Sequence, residues 1–238
     1  MTTKKPISKT GLLALIKELD WRSIEPALQE NPDLLGFRGK KGESLLHVCC
    51  GVDIGKKGLR AADSVKTADV LIDASLDVNE AAFTEGDWEA TPLYYAISRG
   101  QNPTLAEHLL KRGASPEHCL WAAAYKDHAA VVRLLLQAGA TVDALAHGET
   151  PFLFAVKWSR FAAAAVLIEA GTNINFQDKT GRTALHYMLK KRSDAKYVEL
   201  LLRNSARLDL ADQDGVTAGR MLSRLRDSAY QKLAQQYG

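Results

Sequence analysis

Cysteine, long apolar runs, a dominant charge sign and the short motifs of enzyme chemistry are all scarce in this sequence of 238 residues. The three cysteines, Cys49, Cys50 and Cys119, make neither a disulfide framework nor a metal-ligand spacing. No apolar run approaches the roughly 20 residues that a bilayer requires, so no membrane partner is expected. The stretch Leu12-Leu13-Ala14-Leu15-Ile16 is followed at once by Lys17-Glu18, with no small-residue cleavage site, and a cytoplasmic protein is expected. A net charge of +3 is too small to imply nucleic acid by itself. The phosphate-binding Gly-x-x-x-x-Gly-Lys-Ser/Thr and the nucleophile elbow Gly-x-Ser-x-Gly do not occur. His108, His118, His128 and His147 lack acidic or cysteine partners at metal-site spacing. The sequence therefore reads as a non-enzyme with no catalytic residues, metal or cofactor.

What is present is repetition. Gly148-Glu149-Thr150-Pro151-Phe152-Leu153-Phe154-Ala155 runs on to Val166-Leu167-Ile168-Glu169-Ala170-Gly171. Gly181-Arg182-Thr183-Ala184-Leu185-His186-Tyr187-Met188 then runs on to Leu200-Leu201-Leu202-Arg203-Asn204-Ser205. Phe152 and Leu185 hold equivalent places 33 residues apart. Thr91-Pro92-Leu93-Tyr94-Tyr95-Ala96 and Gly42-Glu43-Ser44-Leu45-Leu46-His47 begin in the same way. A period of this length with a Thr-Pro-Leu-His-like start resembles the ankyrin-repeat family.

The resemblance implies an all-α solenoid of stacked helix-turn-helix units with projecting loops, about five to six repeats plus capping units. The chain divides into a flexible leader, 1–10, and one domain, 11–238. Within that domain we expect an N-terminal capping pair at 11–41 and a repeat with an insert at 42–79. Repeats at 80–114, 115–143, 144–175 and 176–209 follow, with a C-terminal cap at 210–238. Helical spacing of Leu12, Leu13, Leu15, Ile16 and Leu19 marks the first helix, and Asn31-Pro32-Asp33 ends the second. Three glycines between 51 and 58 predict an irregular loop, and Ser64–Ala74 predicts a helix. Ser115-Pro116-Glu117 reads as a helix start with a serine cap. Gly113, Gly139 and Gly171 mark helix ends that need φ > 0, with Asn204 in that role in the last full repeat. Cys49 sits in a small-residue packing slot. In this family, histidines placed like His47 and His186 bond backbone in the adjacent turn.

In proteins of this fold, partners meet the loop tips and the exposed ends of the first helices along the concave face. Matching helix positions are Ser98 and Arg99, Tyr125 and Lys126, Lys157 and Trp158, and Lys190 and Lys191. Matching loop-tip positions include Trp88, His147, Lys179 and Arg182. Trp, Tyr and Arg are the types that most often dominate interface energies, and a row of cations with aromatics suits a protein segment bearing carboxylates. From Asp63 to Glu89 the acids Asp63, Asp69, Asp73, Asp77, Glu80, Glu85, Asp87 and Glu89 are opposed only by Lys66, while the chain from Lys157 onward is rich in Lys and Arg. This predicts two faces of opposite sign, with the acidic stretch disfavouring nucleic acid.

The leading expectation is a monomeric, non-catalytic module that binds another protein through its concave face and loop tips. One alternative is a dedicated inhibitor or immunity-type regulator that occludes one partner enzyme. Another, of a different class, is an enzyme with its site near the 51–59 insert and the 79–90 loop.

Overall fold

Helices of six to ten residues do not persist alone in water, so caps and packing must hold each one. The computed structural model describes residues 7–85 and 88–238, without the side chains of 84, 85 and 88. Residues 1–6 of the expected leader lie outside the described residues. Contacts divide the chain into two compact units, up to Ala122 and from Ala123 onward.

The first unit runs α1 (Lys9–Lys17), α2 (Trp21–Glu30), a 3-10 helix (Pro32–Gly36), α3 (Leu45–Cys50), α4 (Ile54–Lys57) and α5 (Ala61–Asp73). A small antiparallel hairpin follows, β1 (Thr84–Glu85) with β2 (Trp88–Glu89), then α6 (Pro92–Ser98) and α7 (Pro103–Lys111). Helix α3 packs on α1 and α6, and α5 packs on α2 and α7, so each pair shares its apolar faces with the next. Leu12, Ile16, Leu45, Leu46, Leu71, Leu93, Leu105 and Leu109 form the buried seam.

Helix α8 (Leu120–Tyr125) carries the boundary, and its last three residues belong to the second unit. That unit continues with α9 (Ala129–Gln137), α10 (Pro151–Lys157), α11 (Phe161–Glu169), α12 (Ala184–Lys191), α13 (Ala195–Arg203), α14 (Ala218–Ser223) and α15 (Ser228–Tyr237). Helix α12 packs on α10 and α14; α11 packs on α9 and α10. Phe152, Leu153, Leu167, Leu185 and Met188 are buried there, and the Phe161 ring stacks on Tyr197 at 3.9 Å.

The Thr-Pro starts work as their chemistry predicts. Thr91 and Thr150 accept the amides of Tyr94 and Leu153 at 3.3 and 3.2 Å, and Pro92 and Pro151 take the first helical turn, where no donor is lost. In α3 and α12 a histidine completes the cap. Nδ1 of His47 accepts the Ser44 amide, and Nδ1 of His186 accepts the Thr183 amide, both at 3.2 Å. The other ring nitrogen therefore carries the proton and donates onward, from His47 to the Ala90 carbonyl at 2.9 Å and from His186 to the Val216 carbonyl at 3.1 Å. Each ring thus joins its own helix start to the next loop tip, as the resemblance implied.

Burial lowers the His47 pKa, an effect only partly opposed by the Ala90 carbonyl and by the Glu80 and Glu43 carboxylates. The unfolded chain binds that proton near pH 6.5 and the folded chain resists it, so stability falls as the pH drops below about 6.5. His47→Gln is expected to be less stable at pH 7.5. Its melting temperature should also change less between pH 7.5 and 5 than that of the wild type, as read by thermal denaturation across that range.

Three expectations are corrected. The 51–58 insert is not irregular throughout: Asp53 caps the short helix α4 by accepting the Lys56 amide at 3.0 Å, and Gly58 ends it at φ +66°. Its glycines stop the helix after one turn instead of preventing it. Ser115-Pro116-Glu117 does not start a helix. The Ser115 hydroxyl accepts the Glu117 amide, His118 turns at φ +60°, and α8 begins only at Leu120. The left-handed residue after α13 is Ser205, at φ +65°, while Asn204 stays at −101°. Ser205 occupies the place of Gly139 and Gly171, and Asn204 instead donates its side-chain amide to the Leu200 carbonyl at 2.8 Å.

Candidate partner-contact site

An aromatic patch stands out in the second unit. Phe154 on α10 and Trp158, which caps its C-terminus, are one helical turn apart, which brings their rings to 6.1 Å. Tyr125, at the end of α8, closes a triangle with them at 6.2 and 6.0 Å. Tyr125 is 44% exposed and Trp158 54%, so neither is a core residue. Two cations flank the patch: the Arg160 guanidinium lies 5.4 Å from the Tyr125 ring centre, and the Lys126 ammonium 5.9 Å. Trp158 does not turn inward toward Phe161, whose ring is taken by Tyr197.

Other cations expected to bind are engaged within the protein. Lys157 pairs with Glu149 and lies 4.8 Å from the Tyr187 ring centre. Burial works against its charge, but the Glu149 bond, Tyr187 and Asp178 outweigh that and raise its pKa. Arg182 bridges to Asp212 and Asp214 at 3.2 and 3.4 Å, which ties one loop tip to the next. The Lys191 ammonium donates to the Lys157 carbonyl. Lys190 and Lys179 are exposed and have no carboxylate partner among the described residues. His147 is exposed at a two-residue hairpin tip; it and Gly148 both take positive φ, the pairing a tight primed turn requires.

These pairings make Lys190→Glu the clean charge reversal of the row. It is expected to leave the melting temperature within about 2 °C of wild type, because an exposed unpaired charge contributes little. Lys157→Glu would set a second carboxylate against Glu149 and lower it further. Calorimetry on the two variants distinguishes them.

In the first unit, Arg99 lies 4.2 Å from the Tyr95 ring centre and 3.9 Å from Glu43, which also accepts the Tyr95 hydroxyl at 3.2 Å and the Lys41 amide at 2.9 Å. The side chain of Trp88 lies outside the described residues. The acidic stretch is not a bare negative face. Arg60 pairs with Asp63, Arg112 with Asp69 and Asp73, Arg38 with Glu80, and His108 bonds Asp69 at 2.8 Å. Charges separated in sequence are brought together by the stacking of α5 on α7.

In the 51–59 insert, suggested as part of an enzyme site, Asp53 and Lys57 are engaged within the protein. Asp53 caps α4, and Lys57 binds Glu18 at 2.7 Å and the Lys17 carbonyl at 2.9 Å, which fastens the insert to the end of α1. All three cysteines are buried, and burial pushes the Cys49 and Cys119 thiols up to about 12, far from a reactive thiolate. Phe154 and Arg160 were not anticipated from the sequence. The i, i+4 spacing of Phe154 and Trp158 was the available signal.

Comparison with known proteins agrees with this architecture. The family model "Ankyrin repeats (3 copies)" matches residues 102–178, and "Ankyrin repeat" matches residues 180–213. The chain is 41% identical over 95 residues to human neurogenic locus notch homolog protein 4, covering 38% of this chain and 5% of that protein. It is 35% identical over 97 residues to mouse Rabankyrin-5, covering 35% of this chain and 8% of that protein. The matched region is thus a small part of either relative. Among solved structures, the human ASB11 ankyrin repeat domain superposes with a TM-score of 0.74 at 20% identity, covering 95% of this chain and 97% of that one. The ankyrin repeat domain of Bcl-3 gives 0.73 at 18% identity, covering 99% and 100%. The chain is an ankyrin-repeat protein. Ankyrin repeats are generally protein–protein interaction modules. No helix among the described residues is long and apolar enough to cross a membrane.

Proposed function

We propose that this chain is a non-catalytic binding module that docks a segment of another protein on the Tyr125–Phe154–Trp158 patch. The observation that carries this reading is the exposure of two large aromatic rings held in one cluster between cations. Aromatic side chains offer large contact area with few rotors to freeze, and their exposure without a partner leaves apolar surface in water. Lys126 and Arg160 beside the patch favour a partner segment that carries carboxylates beside an apolar anchor. Short helices fixed by caps and neighbours keep the rings in place before binding, so little ordering entropy is lost on association.

The test is affinity capture with the wild type beside Tyr125→Ala/Trp158→Ala, with bound proteins quantified by mass spectrometry. A partner held by the wild type and lost by the double variant supports the reading. A partner held equally by both moves the contact elsewhere on the chain.

A further inference from the structure

Most arginines in this protein face a carboxylate at close range, eight of the fourteen. Arg38, Arg60, Arg99, Arg112, Arg133, Arg182, Arg203 and Arg207 each face a carboxylate. Arg22 and Arg160 lie over aromatic rings. Four arginines have neither partner among the described residues: Arg192, Arg220, Arg224 and Arg226. Three of these four, Arg192, Arg224 and Arg226, line one recess of about 510 Å3 in the second unit.

The recess is built where α12 and α14 end. Arg192 is the left-handed residue that closes α12, at φ +52°, and Arg224 closes α14. Leu225, Asp227 and the buried body of Tyr230 form the remaining wall, and the Tyr230 hydroxyl donates to the Ser193 carbonyl. Two carboxylates are near, Asp227 in the lining itself and Asp194 beside it, and each also caps a helix. Asp227 caps α15 by accepting the Ala229 amide at 2.9 Å, and Asp194 caps α13 by accepting the Lys196 amide at 3.0 Å and pairs with Lys196. Three arginines therefore line one hollow against a single carboxylate, which leaves it with a net positive charge. A guanidinium presents paired donors that match the oxygens of a phosphate, and a phosphate monoester brings close to two negative charges and three acceptor oxygens.

We propose that this recess binds a phosphate monoester, carried as a phosphorylated side chain on the segment that docks at the aromatic patch. The two places are joined on one edge of the same unit: the Lys191 ammonium, next to Arg192, bonds the Lys157 carbonyl, next to Trp158. The assignment of the phosphate to a polypeptide rests on the docking reading above; the phosphate site itself does not.

The experiment is an NMR titration of the whole chain, observing the arginine Nε–H signals. The probes are capped O-phosphoserine, capped serine and pyrophosphate at matched ionic strength. Capped phosphoserine is expected to shift the signals of Arg192, Arg224 and Arg226 together and saturably, and capped serine to leave them unmoved. Arg224→Gln/Arg226→Gln should weaken the response at least about tenfold, while Arg60→Gln should not change it. No saturable shift with either phosphate compound, or equal binding by the double variant, overturns the site. Binding of pyrophosphate about tenfold tighter than capped phosphoserine overturns the polypeptide-borne source. Trp158→Ala separates the two readings, because it should weaken partner capture roughly thirtyfold and leave the phosphoserine response intact.

Discussion

Trp158→Ala is expected to weaken binding of the captured partner by about 2 kcal/mol or more, roughly thirtyfold, with little change in the protein's own stability. The indole is 54% exposed at the C-terminal end of α10, so its removal opens no cavity. It does remove one corner of the aromatic triangle and a large exposed ring that a partner could cover. Tyr125→Phe is the companion variant. It keeps the ring that touches Phe154 and Trp158 and loses only the hydroxyl, so a much smaller effect is expected. Calorimetric titration of partner into the two variants gives the comparison. If Trp158→Ala costs no more than Tyr125→Phe, the triangle is not the energetic centre of the contact.

The largest effect on stability is expected at Phe152, two residues before Phe154 on the same helix. Its ring is fully buried, and an alanine there leaves both the lost transfer energy and a cavity, about 3–5 kcal/mol in total. For a chain of this size that is a fall in melting temperature on the order of 10 °C. Phe154→Ala should cost less, because its ring is only half-buried. The two phenylalanines thus divide the labours of one helix: one holds the stack and the other helps present Trp158. Denaturant unfolding of both variants checks the ranking, and similar losses would contradict the division.

The repeat period, the Thr-Pro caps and the histidine bridges were all legible in the sequence because each is a local rule repeated at fixed spacing. Thr150 and Pro151 act within one turn of helix, so a reader of the sequence needs no knowledge of what lies across the fold. The bond from His47 to Ala90 spans 43 residues, yet it too was expected, since the family's motif carries it. What failed was reading charge along the chain. Asp69 and Asp73 look unopposed in their own stretch, but Arg112 reaches them across 43 and 39 residues once α5 and α7 are stacked. In the second unit Glu149, in the same repeat, removed Lys157 from the set of available cations, and Asp212 and Asp214 of the next loop tip removed Arg182.

The turn after each second helix held a further regularity that sequence reading passed over. Asn79 donates to the Gly113 carbonyl at 3.0 Å and accepts the Ser115 amide at 2.7 Å. Asn175 does the same with Ser205 and Arg207 at 3.0 and 2.8 Å, and Asp143 accepts the Asn173 amide at 2.9 Å. A short polar side chain at one recurrent position thus binds backbone groups just past the end of the next helix pair, amides in all three repeats and a carbonyl as well where it is asparagine. The recurrence of Asn or Asp was visible; its direction across to the following repeat was not. The aromatic patch was half legible in the same sense. Tyr125 and Trp158 were singled out as helix-end residues, but only the fold brings them together and adds Phe154.

Hydrogen–deuterium exchange of the chain with and without its captured partner tests the central claim most directly. The account predicts slowed exchange at the end of α8 and around Val156–Ser159, with α9 and α11 unchanged. Protection confined to α9, α11 and the other second helices of the pairs, or to the first unit alone, would contradict it.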